Sequence, residues 1–211
     1  MKITAIITAG GTSSRFGNTN KLLEKVNDKE IIKYTVEAFE NSNVDEIVIC
    51  ANKSIMEELT KMFPYKIVEG GNTRQQSVYN GLSAVKCDYV LIHDGARPMI
   101  TPEIINKTIE LVKEKNAVTV MTKTIDTIKE VENGKIIKTI DRTKLYNTQT
   151  PQAFKYDLIK SIHEKLKDKN FTDDAGMVEA LGYDVFVVEG SYKNIKITTK
   201  DDLQIAKSYL K

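Results

Sequence analysis

The chain has 211 residues, 41% hydrophobic and 28% charged, a composition of ordinary folded proteins rather than disordered or membrane-embedded ones. With 31 Lys and Arg against 29 Asp and Glu, the net charge is only +2, far from the basic excess of a nucleic-acid binder. No apolar stretch approaches transmembrane length, and the apolar part of MKITAIITAGG is too short for a secretory signal, so a cytoplasmic protein is expected, with no membrane or nucleic-acid partner.

Strand-like and helix-like segments then alternate. ITAIIT (3–8) is brief and β-branched, as buried strands are, and runs into TAGGTSSRFGNTNK (8–21), a loop of small residues carrying Arg15 and Lys21. Ile32, Val36 and Phe39 recur at helical spacing. EIVICA (46–51) and YKIVEG (65–70) read as further strands. Within EGGNTRQQSVYNGL (69–82), Gly70 and Gly71 precede Asn72, Arg74 and Ser77 at the start of a helix striped by Val78, Leu82 and Val85. DYVLIH (88–93) is a strand, and LIHDGARP (91–98) puts Asp94 and Arg97 just beyond it. Thr101-Pro102-Glu103 opens a helix with a cap residue and a proline at its first position, with Ile105, Ile109 and Val112 inward. AVTVMT (117–122) is the next strand. This alternation predicts an α/β fold: a mostly parallel sheet with helices on both faces.

The pattern changes at KTIDTIKEVENGKIIKTIDRTKLY (123–146). Two strands of alternating apolar and charged residues flank Asn133-Gly134, a strong hairpin signal. Such a hairpin suits a sheet edge or a protruding arm, and packing against a second subunit would support it. DVFVVEG (184–190) supplies another strand. Thr199 and Asp202 have cap spacing ahead of a last helix with Leu203, Ala206 and Leu210. One domain over 1–211 is expected, with 123–146 as the arm. Cys50 and Cys87 read as buried free thiols in strand-like stretches, His93 as a packed strand residue and His163 as a surface helix residue.

Ligands of open parallel sheets bind beyond the carboxyl ends of the strands. There the first loop offers close backbone N–H groups and two cations, an arrangement suited to a polyphosphate. Neither Gly-x-x-x-x-Gly-Lys-Ser/Thr nor Gly-x-Gly-x-x-Gly occurs, so a P-loop ATPase is rejected and a dehydrogenase loses its main support. Asp94 beside such a loop is a candidate ligand for Mg²⁺, a cation held by one or two carboxylates plus phosphate oxygens. Neither histidine has a recognisable Ser or Cys nucleophile partner, so no hydrolase triad is indicated.

AGGTSSRFG with Lys21, GGNTRQQSVYNGL, HDGARP, DRTKLYNTQTPQAF, TDDAGMVEALG and NIKITTKDDL occur in the order and spacing of 2-C-methyl-D-erythritol 4-phosphate cytidylyltransferases, and the chain resembles that family over essentially its whole length. The resemblance implies a Rossmann-like sheet of nucleotidyltransferase type with a β-hairpin dimerisation arm. It implies transfer of a cytidylyl group from CTP to a sugar-alcohol phosphate with release of pyrophosphate, assisted by Mg²⁺ on Asp94. Arg15, Lys21, Arg142 and Lys196 match the family's catalytic cations. Ala9, Gly10, Gly11, Gly71, Asn72, Arg74, Ser77 and Arg97 match positions that hold CTP. Thr127, Thr150 and Thr172 match polar contacts to the acceptor, in a pocket shared across a homodimer. This chain departs from the family in having Asn20-Lys21-Leu22 for Pro-Lys-Gln in a slightly shorter loop, Asn72 for a frequent acidic residue, and Gly176 for a frequent serine. Ribitol-5-phosphate cytidylyltransferases share the fold and several motifs, although RQQSVYNGL and HDGARP look more like the methylerythritol branch. A non-catalytic nucleotide-binding module on the same fold is the reading from a different class.

Overall fold

The structure is a computed structural model that describes residues 1–11, 16 and 20–210. After β1 (Ile3–Ala9) come a two-residue pairing of β2 (Lys25–Val26) with β3 (Lys29–Glu30), then α1 (Ile31–Glu40), β4 (Glu46–Ala51), α2 (Met56–Met62) and β5 (Lys66–Glu69). The middle of the chain forms α3 (Arg74–Ser83), β6 (Tyr89–Asp94), α4 (Pro102–Lys115) and β7 (Ala117–Lys123). Then follow β8 (Ile128–Glu132), β9 (Lys135–Ile140), β10 (Tyr146–Lys155), α5 (Tyr156–Lys165), α6 (Asp174–Glu179), β11 (Phe186–Glu189) and α7 (Lys200–Tyr209).

Seven strands form one sheet in the order β11-β7-β10-β6-β1-β4-β5. Strand β1 lies parallel to β4 and β6, β4 to β5, and β7 to β11, whereas β10 runs antiparallel between β6 and β7. The expected mostly parallel sheet is therefore present, with one reversed strand that periodicity does not disclose. Residues 146–155 include Pro151 and a run of polar side chains, and their register on β7 is interrupted between Thr148 and Gln152.

The side-chain period of two decides which face each residue serves. Ile3, Ala5 and Ile7 of β1, Ile47 and Ile49 of β4 and Leu91 of β6 pack with α1, α4 and α7 through Phe39, Ile105, Ile109 and Leu203. Ile6, Val48, Cys50, Val90 and Ile92 face the other way, against Val78 and Leu82 of α3 and Ile159 and Ile162 of α5. Helices cover both faces because neither face of the central strands is polar. Helix α4 starts at Pro102 after Thr101, as its sequence indicates, and α7 starts with a complete capping box between Thr199 and Asp202.

The Asn-Gly hairpin is an arm, not a sheet edge. Asn133 and Gly134 both have positive φ, 50° and 78°, as a type I′ turn requires, and β8 and β9 form their own two-stranded sheet. Ile128, Val131, Ile136 and Ile137 on it are exposed. Two expectations are corrected. Cys50 is buried in β4, but Cys87 is only partly buried and precedes β6, outside any strand. His163 is not on the surface: it lies on the inward side of α5 at 2% exposure, because Asp174 supplies a buried partner for its ring.

Close packing of α3 on the sheet yields a prediction. A Cβ on Gly81 would stand 2.6 Å from Cys50 Sγ and 2.8 Å from Ile6 Cγ2. Gly81→Val should lower unfolding free energy by about 1–3 kcal/mol in urea titrations. Adding Cys50→Ala should recover part of the loss, since the thiol is one of the two obstructing groups.

Candidate active site at the strand ends

The parallel register aligns Thr8 with Asp94 and Ala9 with Ala51, so β1, β4 and β6 finish at one edge, and β5 ends level with Ala51. The chain crosses from β1 to β4 on one side and reaches β6 on the other, which opens a crevice beyond β1. A cavity of about 330 Å³ occupies it, lined among others by Gly10, Gly11, Lys21, Arg74, Asp94 and Lys196.

One wall is the loop into α3. Thr73 caps that helix by accepting from Gln76 N, and Thr73, Arg74 and Ser77 bring the positive start of the helix onto the cavity lining. Ser77 ties the wall together: its Oγ accepts from Gly71 N at 3.0 Å and donates to Thr73 O at 2.9 Å. A Cβ on Gly71 would meet Gln76 Cγ at 1.9 Å, and one on Gly10 would meet Ser77 Oγ at 2.8 Å. Glycine at 10 lets the first loop close on α3, and glycine at 71 lets the segment before α3 fold back onto that helix's first turn. Ser77 is 2% exposed with its proton spent on backbone, so it shapes the wall as well as bordering the cavity.

Asp94 is the electrostatic centre. Its Oδ1 accepts from Arg74 Nε at 3.2 Å, its Oδ2 lies 2.9 Å from Lys196 Nζ, and Arg97 Nε is 3.7 Å from Oδ2. Burial by itself would raise the pKa of this carboxyl, but Arg74, Lys196 and Arg97 outweigh burial and hold it well below the usual carboxylate range. The group is an anion at any working pH.

Each neighbour is itself anchored. Arg74 reaches on through Nη1 to Asp174 Oδ2 at 2.6 Å, and Asp174 Oδ1 accepts from His163 Nε2 at 2.9 Å. Burial opposes ionisation of Asp174, but Arg74 and then His163 hold its pKa down. The Asp174 and Ala175 N–H groups donate to Gln152 Oε1, fixing the start of α6 to β10. Arg97 Nη1 donates to Asn194 O at 2.8 Å, and the fully buried Asn194 donates through Nδ2 to Gln149 Oε1 and Thr150 O. The loop bearing Lys196 is thereby pinned to β10, and Ile197 N donates to Ala96 O beside it.

Thr150 completes the support from below. Its Oγ1 accepts from Asp94 N at 3.1 Å and lies 3.0 Å from His93 Nδ1, while His93 Nε2 is 3.4 Å from Arg97 O. A carbonyl only accepts, which places the imidazole proton on Nε2 and makes Nδ1 the acceptor of the Thr150 hydroxyl. Burial pushes the His93 pKa down to about 3, against the pull of Asp94.

Of the residues singled out in the sequence, the fold gathers Ala9, Gly10, Gly11, Lys21, Gly71, Asn72, Arg74, Ser77, Asp94 and Lys196 around one cavity. Arg97 and Thr150 sit beneath Asp94, not on the cavity lining. Thr127, Arg142 and Thr172 are exposed elsewhere on the chain, and Arg142 Nη1 donates to Ile125 O at the base of the arm. Arg15 lies outside the described residues. Asp174, His163, Gln152 and Asn194 were not singled out as site residues; TDDA and NIKIT contain two of them, but only the folded contacts reveal what they do.

Chemistry at this edge is electrostatic. Backbone donors, a helix end and several cations face a space with one ionised carboxylate, the equipment for handling phosphoryl groups rather than for attacking them. The family model described as IspD: 2-C-methyl-D-erythritol 4-phosphate cytidylyltransferase matches residues 3–211. An enzyme of that name from Clostridioides difficile (strain 630) is 44% identical over 218 residues, covering 97% of this chain and 92% of its own. The crystal structure of 4-diphosphocytidyl-2C-methyl-D-erythritol synthase from Anaerococcus prevotii DSM 20548 superposes with a TM-score of 0.87 at 33% identity, covering 99% of this chain and 96% of that one. The 2-C-methyl-D-erythritol 4-phosphate cytidylyltransferase from Thermus thermophilus gives 0.85 at 28% identity, covering 100% and 99%. This chain belongs to the 2-C-methyl-D-erythritol 4-phosphate cytidylyltransferase family.

The neutral His93 makes stability depend on pH. The unfolded chain protonates this residue near its ordinary pKa of 6.5, whereas the folded chain resists down to about 3. Between those values the unfolded state binds more protons, so stability rises with pH. Going from pH 7 to 5.5, His93 should contribute a loss of about 1 kcal/mol in chemical denaturation. His93→Asn should flatten that part of the slope.

Proposed function

We propose that this protein transfers the cytidylyl group of CTP to 2-C-methyl-D-erythritol 4-phosphate, giving 4-diphosphocytidyl-2-C-methyl-D-erythritol and pyrophosphate, in the non-mevalonate route to isoprenoid precursors. Family membership over the whole matched length supports the substrates, and the Asp94–Lys196–Arg74 cluster at the cavity is the observation that carries the reading. A cytoplasmic setting suits it, and no described helix is long and apolar enough to cross a membrane.

The reaction joins two anions. An oxygen of the acceptor phosphate attacks the α-phosphorus of CTP, a new phosphoanhydride bond forms, and the bond to the β-phosphate oxygen breaks as pyrophosphate leaves. The acceptor oxygen is already anionic near neutral pH, so the protein must align the partners and offset their repulsion. Gly10, Gly11 and the start of α3 hold the triphosphate, Gly71, Asn72 and the first loop select cytosine with Ser77 shaping that wall, and Arg15 and Lys21 stabilise the charge that develops at the α-phosphoryl group. Lys196 and Arg142 place the acceptor phosphate, with Thr127 and Thr172 as polar contacts. Thr150 acts through Asp94, and Arg97 braces both Asp94 and the Lys196 loop.

The donor set suits Mg²⁺. Asp94 is ionised and reaches the cavity, while no group of three His, Cys, Asp or Glu that could cage a metal occurs among the described residues. One carboxylate plus phosphate oxygens is the usual Mg²⁺ arrangement. Bound there, Mg²⁺ supplies charge neutralisation across the triphosphate, and Asp94 is the residue that would hold it.

Arg142 and Thr127 belong to the arm, away from the cavity of their own chain, so the reading includes a homodimer in which one subunit's arm completes the other's acceptor pocket. Pyrophosphate release should depend on CTP and methylerythritol phosphate; turnover with ribitol 5-phosphate instead would replace the acceptor, and CTP binding without turnover on either would leave a nucleotide-binding module. A shared pocket makes a second prediction. Arg142→Ala and Lys196→Ala, each nearly inactive alone, should recover roughly a quarter of wild-type activity when co-refolded, because half of the mixed dimers' sites are intact. No recovery in verified mixed dimers would confine each pocket to one subunit.

A further inference from the structure

The acid that grips Arg74 from behind takes no part in the phosphoryl transfer itself, yet it is among the most enclosed ionised groups in the molecule. Asp174, on the first turn of α6, is 1% exposed and receives Arg74 Nη1 at 2.6 Å and His163 Nε2 at 2.9 Å. Its own N–H is held by Gln152 Oε1, so neither its backbone nor its carboxylate is free to shift.

The consequence falls on Arg74. A guanidinium beside a single carboxylate tends to meet it fork to fork, with two parallel N–H bonds. Arg74 does not do this with Asp94: Nε alone reaches it, at 3.2 Å, and the buried Nη2 that would complete the fork has no partner among the described residues while Asp174 holds Nη1. Were Asp174 uncharged, Arg74 would be free to turn a second donor onto Asp94, whose Oδ2 already carries Lys196 at 2.9 Å, and so take up the oxygen lone pairs that a metal needs. We infer that Asp174 is a positioning residue whose task is to hold Arg74 side-on, so that Asp94 stays available to a divalent cation on the triphosphate. His163 fixes the second oxygen of Asp174, which leaves Oδ2 for Arg74 alone. Residues in this position around a metal-bearing carboxylate typically change metal affinity about 10- to 100-fold when removed.

The inference rests on Asp94 as the metal carboxylate, and the test separates the two. Mn²⁺ binding to the full-length protein with CTP and no acceptor is followed by electron paramagnetic resonance, on wild type, Asp94→Asn, Asp174→Asn, Arg74→Gln and the Asp174→Asn/Arg74→Gln pair. Asp174→Asn should weaken Mn²⁺ binding about 10- to 100-fold while leaving the acceptor KM within about twofold. The pair should bind no more weakly than Asp174→Asn alone, because without its guanidinium the site has nothing to misplace. Weak binding in Asp94→Asn but wild-type binding in Asp174→Asn, or strictly additive losses in the pair, would overturn the role of Asp174 and leave the metal reading standing. Undiminished binding in Asp94→Asn would remove the metal reading and this inference together. Should Asp174→Asn not fold, the wild-type protein still decides. Nitrogen-15 spectra should show Arg74 with slowed rotation about its Cζ–Nη1 bond and a protected Nε–H; averaging like that of a solvent-exposed arginine would end the proposal.

Discussion

Keeping one carboxylate ionised at the nearly closed end of a central strand is the constraint from which the rest of this edge follows. Asp94 is only 7% exposed, and an uncompensated charge at such depth would cost several kcal/mol or be neutralised by a proton. Three cations meet the requirement, and each commits a different piece of chain: α3 through Arg74, the turn after β6 through Arg97, and the loop before α7 through Lys196. Arg74 then demands an acid of its own, which ties α6 and α5 into the same cluster by Asp174 and His163. Segments far apart in sequence are thus oriented by one charge, and the mouth of the cavity inherits their positions.

Such a cluster is a poor way to gain stability. Buried ion pairs often do no better than apolar side chains of equal size, because desolvation consumes most of the attraction. Its value lies in having dipoles and charges already aimed when a polyanion arrives, so that little reorganises during the reaction. The apolar bulk elsewhere, from Phe39 and Ile105 on one face to Leu82 and Ile159 on the other, makes that arrangement tolerable.

Sequence and structure agree best where a local rule operates. Alternating β-branched runs located the parallel strands, Thr101-Pro102 and Thr199 with Asp202 marked helix starts, and Asn133-Gly134 announced its turn, since each depends on neighbours in the chain. Glycines at 10, 11 and 71 with Arg74, Asp94 and Lys196 converge on one cavity because parallel strands put their following loops on the same side. Long-range partners were not legible. His163 reads as a surface residue until Asp174 arrives from another element, Thr150 reads as an acceptor contact until its hydroxyl is found under Asp94 N, and β10 hides its strand character behind Pro151 and polar side chains. Those residues owe their roles to contacts that no periodicity encodes.

The reversed strand has a bearing on how the molecule comes into being. β10 sits between β6 and β7 but is made after both, so during synthesis the sheet cannot grow in the order in which its strands appear. Until residue 155 has left the ribosome, β6 carries one bare edge and β7 lacks the neighbour that joins it to the nascent core. Exposed strand edges invite pairing with other chains. From the emergence of residue 94 to that of residue 155, the inner edge of β6 therefore has no strand of its own sheet to pair with.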